Sequence, residues 1–277
     1  MKNQFTQGSI IAHVRSSKYK DIKCSGVVIS ARCDLAQNKI KNFHYLTALP
    51  LENWIYEELY YKLIEEAISN ELGGIKKILQ CYKLDYDLVM EWQYDQRKRL
   101  FEKALSPKDC QHATKKLDEC IKYENMRVCV DTAEKKKKIE MFFSEKSVKE
   151  CIRRLVNGAY PKFVFIPQNG YLDNGVMNDG LVVDLQDIYQ LPIEIAYEIQ
   201  NNELDFPLIN DEKKIKSINQ NFFFDGKDDF VIIEGVIGSP WIEYVLQQFA
   251  HSFIRIGVDN ATTTEISEYY DKFIRGK

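Results

Sequence analysis

A mixed α/β (α+β) fold is predicted, in which a β-rich, partly barrelled module is interrupted by a long helical insertion and followed by C-terminal helices. Three observations predict it. Short β-branched and aromatic runs fill the first fifty residues. From about Leu51 to Gly158 helix formers dominate and Pro107 is the lone proline. β-type runs then return from Phe163, before an amphipathic pattern closes the chain. The module accordingly takes residues 1–50 and 160–237, the insertion 51–159, and the C-terminal helices 238–277. Five or six short strands are few for two independent cores, which favours one β module split by the insertion.

The elements follow in order. Ser9 to Val14 (SIIAHV), Val27 to Ser30 (VVIS) and Phe43 to Leu49 (FHYLTAL) read as strands, the last closed by Pro50. Asp34 to Lys39 is turn-rich. Trp54, Leu59, Leu63, Ile64, Ala67 and Ile68 recur near helical spacing until Gly73-Gly74, where a stop is expected. Tyr86 to Ala104 reads as one long helix. Ser106-Pro107 reads as an N-cap with proline in the first turn, and Ser147 as the cap of a last helix ending at Asn157-Gly158. Phe163 to Pro167, Leu181 to Leu185 and Asp229 to Val236 are the returning strands. Ser239-Pro240 opens a helix whose stripe runs through Trp241, Ile242, Val245, Leu246, Phe249, Phe253 and Ile254, and a shorter helix is expected over Thr264 to Ile274.

Charge and cysteine usage exclude several classes. With 38 basic and 41 acidic residues in 277, the surface is not uniformly cationic, so any nucleic-acid contact must come from a local patch. The N-terminal stretch holds no signal-like apolar run, and no uncharged apolar run approaches the ~20 residues of a membrane span. A soluble, cytoplasmic chain with no membrane partner is expected. Seven cysteines lie at wide spacing with no C-x-x-C pair and no zinc-type cluster, so reduced thiols, no metal and no cofactor are expected. Neither a P-loop nor a dinucleotide fingerprint occurs, and Gly170 to Gly180 has the wrong glycine spacing for either.

Three segments carry chemistry. Arg32, Cys33 and Asp34 stand in consecutive positions where a strand gives way to a loop. Arg32 could hold a phosphate or carboxylate, Cys33 could be a nucleophile and Asp34 a base or turn cap; the alternative is a core thiol and a self-bonded turn. A Cys33 hydrolase would need a base from His13, His44, His112 or His251. Arg15, Lys18, Lys20 and Lys23, with Tyr19 among them, form a basic loop in which a ring could stack a base while the cations hold phosphate. Lys135 to Lys138 form a second basic run, read as solvated surface. Trp241, Phe249 and Phe253 either pack on their own domain or anchor a dimer or partner contact.

The segments GSII, SGVVIS and FHYLTALP, with the later GLVVDLQDIYQLP, resemble the MazF/PemK group of toxin endoribonucleases. The resemblance implies an SH3-like barrel, dimerisation and cleavage of single-stranded RNA. It places Ser30 and its valines on the family's second strand and Thr47 near the family threonine, while Lys23-Cys24-Ser25 stands where the family has arginine-proline. Three functional readings follow. The leading one is a non-enzymatic interaction or regulatory module with a protein partner or a second copy as ligand, an accessory component of a bacterial stress or phage-defence system. The second is a diverged endoribonuclease using Lys23, Arg32 and Thr47, and the third is the Cys33 hydrolase.

Overall fold

The computed structural model describes residues 5–37, 39–128, 131–173, 180–201, 221–222 and 231–254, with the side chains of 171–173 and 253–254 outside that description. The chain divides into two compact units, 1–49 with 160–277, and 50–159. The fold is mixed α+β: a curled antiparallel half-barrel sheet with a long helical insertion between its third and fourth strands and a helix at its C-terminal side.

Among the described residues the sheet has seven strands: β1 (Ser9–Val14), β2 (Cys24–Val28), β3 (Asn42–Pro50), β4 (Phe163–Ile166), β5 (Tyr171–Asp173), β6 (Leu181–Pro192) and β7 (Ile233–Ile237). Their order is β4-β6-β3-β2-β1-β7-β5, so strands from both sides of the insertion interleave. The VVIS and LVVDL runs thus share one sheet. Registers fix which residues share a face. Ile10 pairs Val27 and Val27 pairs Leu46, and these three join Val164, Ile166, Leu181, Val183 and Leu185 in one core. Helix α10 (Trp241–Ile254) closes that core with Ile242 and Val245, each fully buried aliphatic stabilising by about 1.5–3 kcal/mol. On the other face Ile11 pairs Gly26 and Gly26 pairs Thr47. A Cβ on Gly26 would sit 2.8 Å from Tyr45 Cδ2, so glycine here lets the Tyr45 ring lie flat on β2.

Several elements differ from the sequence reading. β6 runs seven residues past Leu185, because Gln186 to Gln190 alternates exposed and half-buried and so lacks an apolar run. β5 falls within the Gly170 to Gly180 stretch, where no strand was expected, and helix α9 (Ile193–Gln200) follows β6 after Pro192. The turn-rich Asp34 stretch begins as a short helix, α1 (Arg32–Ala36). The expected helix over Thr264 to Ile274 lies outside the described residues.

The unit 50–159 is helical. Helix α2 (Leu51–Trp54) continues through a π-helical turn (Ile55–Leu59) into α3 (Tyr60–Cys81). Then follow α4 (Tyr86–Glu91), α5 (Tyr94–Ala104), α6 (Pro107–Met126), α7 (Thr132–Phe142) and α8 (Glu145–Val156). Gly73-Gly74 does not stop α3. A Cβ on Gly74 would lie 2.7 Å from Lys116 Cε, so the glycine admits the α6 lysine, which pairs with Glu71 at 2.7 Å. The helix expected over Tyr86 to Ala104 breaks at Trp92-Gln93, where Gln93 and Gln96 form a reciprocal cap. Ser106 caps α6, accepting from the Asp109 N–H. Ser144 rather than Ser147 caps α8. Ile75, Leu79, Val89, Phe101, Ala113 and Leu117 build this unit's core. Lys135, read as solvated, is buried on α7, paired with Glu57 at 3.0 Å and lying over the Tyr61 ring.

Candidate functional site

Among the described residues of the sheet unit, a dense polar arrangement joins the β1–β2 connection, residues 15–23, to β6. β1 carries a bulge before this connection: its register shifts between Ile11 and Val14, and His13 takes a left-handed φ of 57°. Arg15 then donates from Nε to the Phe222 carbonyl at 2.7 Å. Ser16 donates to Asp187 Oδ2 at 2.6 Å and accepts the Lys18 and Tyr19 N–H groups, each at 3.1 Å, which uses one donor and two acceptor sites of a hydroxyl. The Ser17 N–H donates to the Tyr189 hydroxyl at 2.6 Å.

Asp184 is the hub. Its Oδ2 accepts Lys18 Nζ at 2.7 Å and the Tyr19 hydroxyl at 2.9 Å, and its Oδ1 accepts the Gln186 N–H at 2.9 Å. The carboxylate is buried, whereas the Lys18 side chain is 42% exposed. The Lys18 ammonium also sits 4.8 Å from the Tyr19 ring centre and 5.1 Å from that of Phe163. A buried carboxylate taking three donors is satisfied where a bare one would be costly. Under this layer Tyr189 stacks on Tyr45 at 5.7 Å. Burial, and after it the neighbouring Tyr189, Asp187 and Cys24, pushes the Tyr45 hydroxyl above the usual tyrosine range, so it stays a neutral phenol. Its oxygen has no hydrogen-bond partner among the described residues.

Charge distribution along the chain matches this clamp. Residues 1–49 hold eight Lys/Arg against two Asp/Glu, and residues 160–277 hold nine against nineteen. The sheet interleaves a cationic segment with an anionic one, and Lys18–Asp184 is a direct contact between them.

The residues singled out from the sequence lie as follows. Tyr19, expected to be exposed for base stacking, is 4% exposed and bonded through its hydroxyl. Lys20 is exposed, and Lys23 is half-buried at the end of the connection. Thr47 is 0% exposed on β3, and its hydroxyl has no hydrogen-bond partner among the described residues. Arg32 and Cys33 are exposed on α1 and Asp34 is half-buried; the Cys33 thiol lies 3.6 Å from Asp34 Oδ1. Cys33 is therefore not a core thiol, because α1 turns it outward. Among the described residues no hydrogen bond joins Cys33 to a histidine, and no group of three or more His, Cys, Asp or Glu is placed to hold a metal. Trp241 and Phe249 pack against the sheet core, and the Phe253 side chain lies outside the description. Sequence reasoning missed Ser16, Asp184, Asp187 and Tyr189. A second polar pair is also inside: Ser25 donates to Glu234 Oε2 at 2.9 Å, and burial raises the Glu234 pKa while that bond lowers it.

Among the described residues no helix is long and apolar enough to cross a membrane. In comparison with known proteins, the chain matches no family model, no curated protein and no solved structure.

Proposed function

We propose that the protein is a non-enzymatic interaction module that recognises a protein partner. The observation that carries this reading is how the reactive candidates are disposed. Thr47 is sealed at 0% exposure while Arg32 and Cys33 stand on the surface of α1. Ribonuclease chemistry needs a polar group within reach of the scissile phosphate, and a hydroxyl buried within the sheet cannot supply one. The basic loop, the other catalytic ingredient, spends Ser16, Lys18 and Tyr19 on the protein's own carboxylates. What remains is a sheet with a helical unit inserted in its chain, an arrangement suited to presenting surfaces.

The test has two arms. Tagged protein expressed in its native host is captured with and without ribonuclease treatment, and each retained protein is purified and titrated back. In parallel, purified protein is incubated with single-stranded RNA. A saturable protein partner that survives ribonuclease, with the RNA left intact, is the expected outcome. Capture that vanishes with ribonuclease, or RNA cleavage that Thr47→Val abolishes, overturns the reading.

A further inference from the structure

We propose that the corner between α4 and α5 docks an arginine-bearing segment of a protein partner. Leu88 and Trp92 supply its apolar anchors, and Asp87, Glu91 and Asp95 its charged rim. The proposal rests on the protein-partner reading above and states where the partner is held and what chemistry it brings. α4 is fastened from one side. Val89 is 3% exposed in the helical core, and Arg97 Nη2 donates to the Met90 carbonyl at 2.6 Å. The Asp85 carboxylate caps the first turn, accepting the Leu88 N–H at 3.1 Å. Leu88 and Trp92 stand four positions apart and so share a helical face, and they are 55% and 37% exposed. A lone exposed apolar side chain is ordinary. A leucine and a tryptophan on one face of a fastened helix form a surface to be covered, and tryptophan is among the side chains most enriched at binding anchors.

Charge identifies the occupant. The run from Asp85 to Asp95 carries Asp85, Asp87, Glu91 and Asp95, all exposed, and no Lys or Arg. Among the described residues, Asp87, Glu91 and Asp95 form no ion pair. Elsewhere on this unit neighbouring turns neutralise one another, as in Glu119–Lys122, Glu134–Lys138 and Glu150–Arg153. The corner thus offers an exposed indole with uncompensated carboxylates beside it in the chain. A guanidinium answers both, because it stacks on an indole and forks onto a carboxylate, which an ammonium cannot do. The same negative charge repels a phosphate backbone, so nucleic acid is the wrong ligand for this corner. Charged contacts at an exposed rim are screened by salt, so the affinity falls as ionic strength rises.

A random twelve-residue peptide library displayed on phage is panned against the full chain. Enriched peptides are synthesised with fluorescein and titrated by anisotropy at two salt concentrations. The titrations compare the wild type, Leu88→Ala/Trp92→Ala, Glu91→Gln/Asp95→Asn and a control, Glu65→Gln/Glu140→Gln, which removes the same charge at two exposed positions on other helices. The expected result is a set of cationic, arginine-bearing peptides with micromolar, salt-sensitive affinity. Each corner variant weakens them at least tenfold, and the control leaves them within twofold. No enrichment, peptides without arginine, undiminished binding to either corner variant, or an equal loss in the control overturns the proposal. Wild-type self-association in sedimentation that Leu88→Ala/Trp92→Ala abolishes also overturns it, in favour of a second copy as occupant. The two readings fail separately. A ribonuclease-resistant partner from the native host that Leu88→Ala/Trp92→Ala still retains removes this site and leaves the protein-partner reading standing. Peptides that bind the corner, with no protein captured from the host, support the site and count against the broader reading.

Discussion

Asp184→Ala is expected to destabilise the sheet unit by about 2–4 kcal/mol, and Lys18→Ala by only about 1–2 kcal/mol. The asymmetry follows from how far water can repay each lost bond. Removing the carboxylate takes the acceptor from three donors. Lys18 is half in solvent and rehydrates, and Gln186 is exposed, so those two losses are partly repaid by water. Tyr19 is 4% exposed, so water repays little of the bond its hydroxyl loses. Truncating Lys18 leaves Asp184 with two donors and opens a path for water to the third position. For a unit of this size ~1 kcal/mol moves the melting midpoint by about 2–4 °C. Scanning calorimetry should therefore show a drop of roughly 5–10 °C for Asp184→Ala and 2–5 °C for Lys18→Ala. Equal drops, or a larger one for Lys18→Ala, would refute the assignment of the carboxylate as the hub. A coupling energy near zero in the double variant would do so independently, since residues in one network do not add.

Burial raises the Glu234 pKa, with the Ser25 hydrogen bond opposing it, so its folded pKa lies above the unfolded one. The stability it contributes is fully present below the unfolded pKa and fades as pH rises through the folded one; Glu234→Gln should add about 1 kcal/mol at pH 7, and nothing in urea melts at pH 4. Gly26→Ala should cost about 1–3 kcal/mol by the same melts, because the new methyl meets Tyr45 Cδ2 at 2.8 Å and Val14 Cγ1 at 3.0 Å, and the stacked, buried ring cannot retreat; a stabilised variant would show that the ring yields. Thiol titration of the native protein with an aromatic disulfide should label Cys33 and Cys81 first, with Cys24, Cys120 and Cys151 waiting for denaturant. Burial also pushes the Cys120 thiol up to about 11, so raising the pH to 8.5 should leave it slow. Cys33→Ser, at an exposed position, should move the melting midpoint by less than about 2 °C.

Apolar runs made most of the sheet legible. SIIAHV and FVFI are short, β-branched or aromatic and bounded by polar residues, and both are strands at those positions. What failed was reading a residue without its neighbour in space. Gly73-Gly74 resembles a helix stop until Lys116 is brought against it from α6. Trp92 looks like the middle of a helix, although its flanking Gln93 caps the next one. Tyr19 among lysines looks like a stacking platform, but its acceptor sits 165 positions further along the chain. That separation is why no local pattern could reveal the clamp. One signal was available: the opposite charge balance of the two segments flanking the insertion, which averaging over the chain conceals.

The strand order carries a geometric consequence. β4 and β5 are the outermost strands of the sheet, yet they are consecutive in sequence, with residues 167–170 between them and a 3-10 turn occupying Gln168–Gly170. Seven flat strands would set the outer pair roughly 29 Å apart at ~4.8 Å per neighbour. Five fully extended residue steps reach at most about 18 Å, and a 3-10 turn shortens that further. A flat sheet is thus unreachable for this chain: the tether, as much as the strand twist, bends the two rims toward each other. Bare rims invite strands from other molecules, and a short leash that draws them together withdraws that invitation. Lengthening residues 167–170 by a flexible segment would remove the constraint without touching a buried side chain of the strands. Self-association appearing in such a variant, and absent from one lengthened elsewhere on the surface, would trace the protection of the sheet's rims to four residues of string.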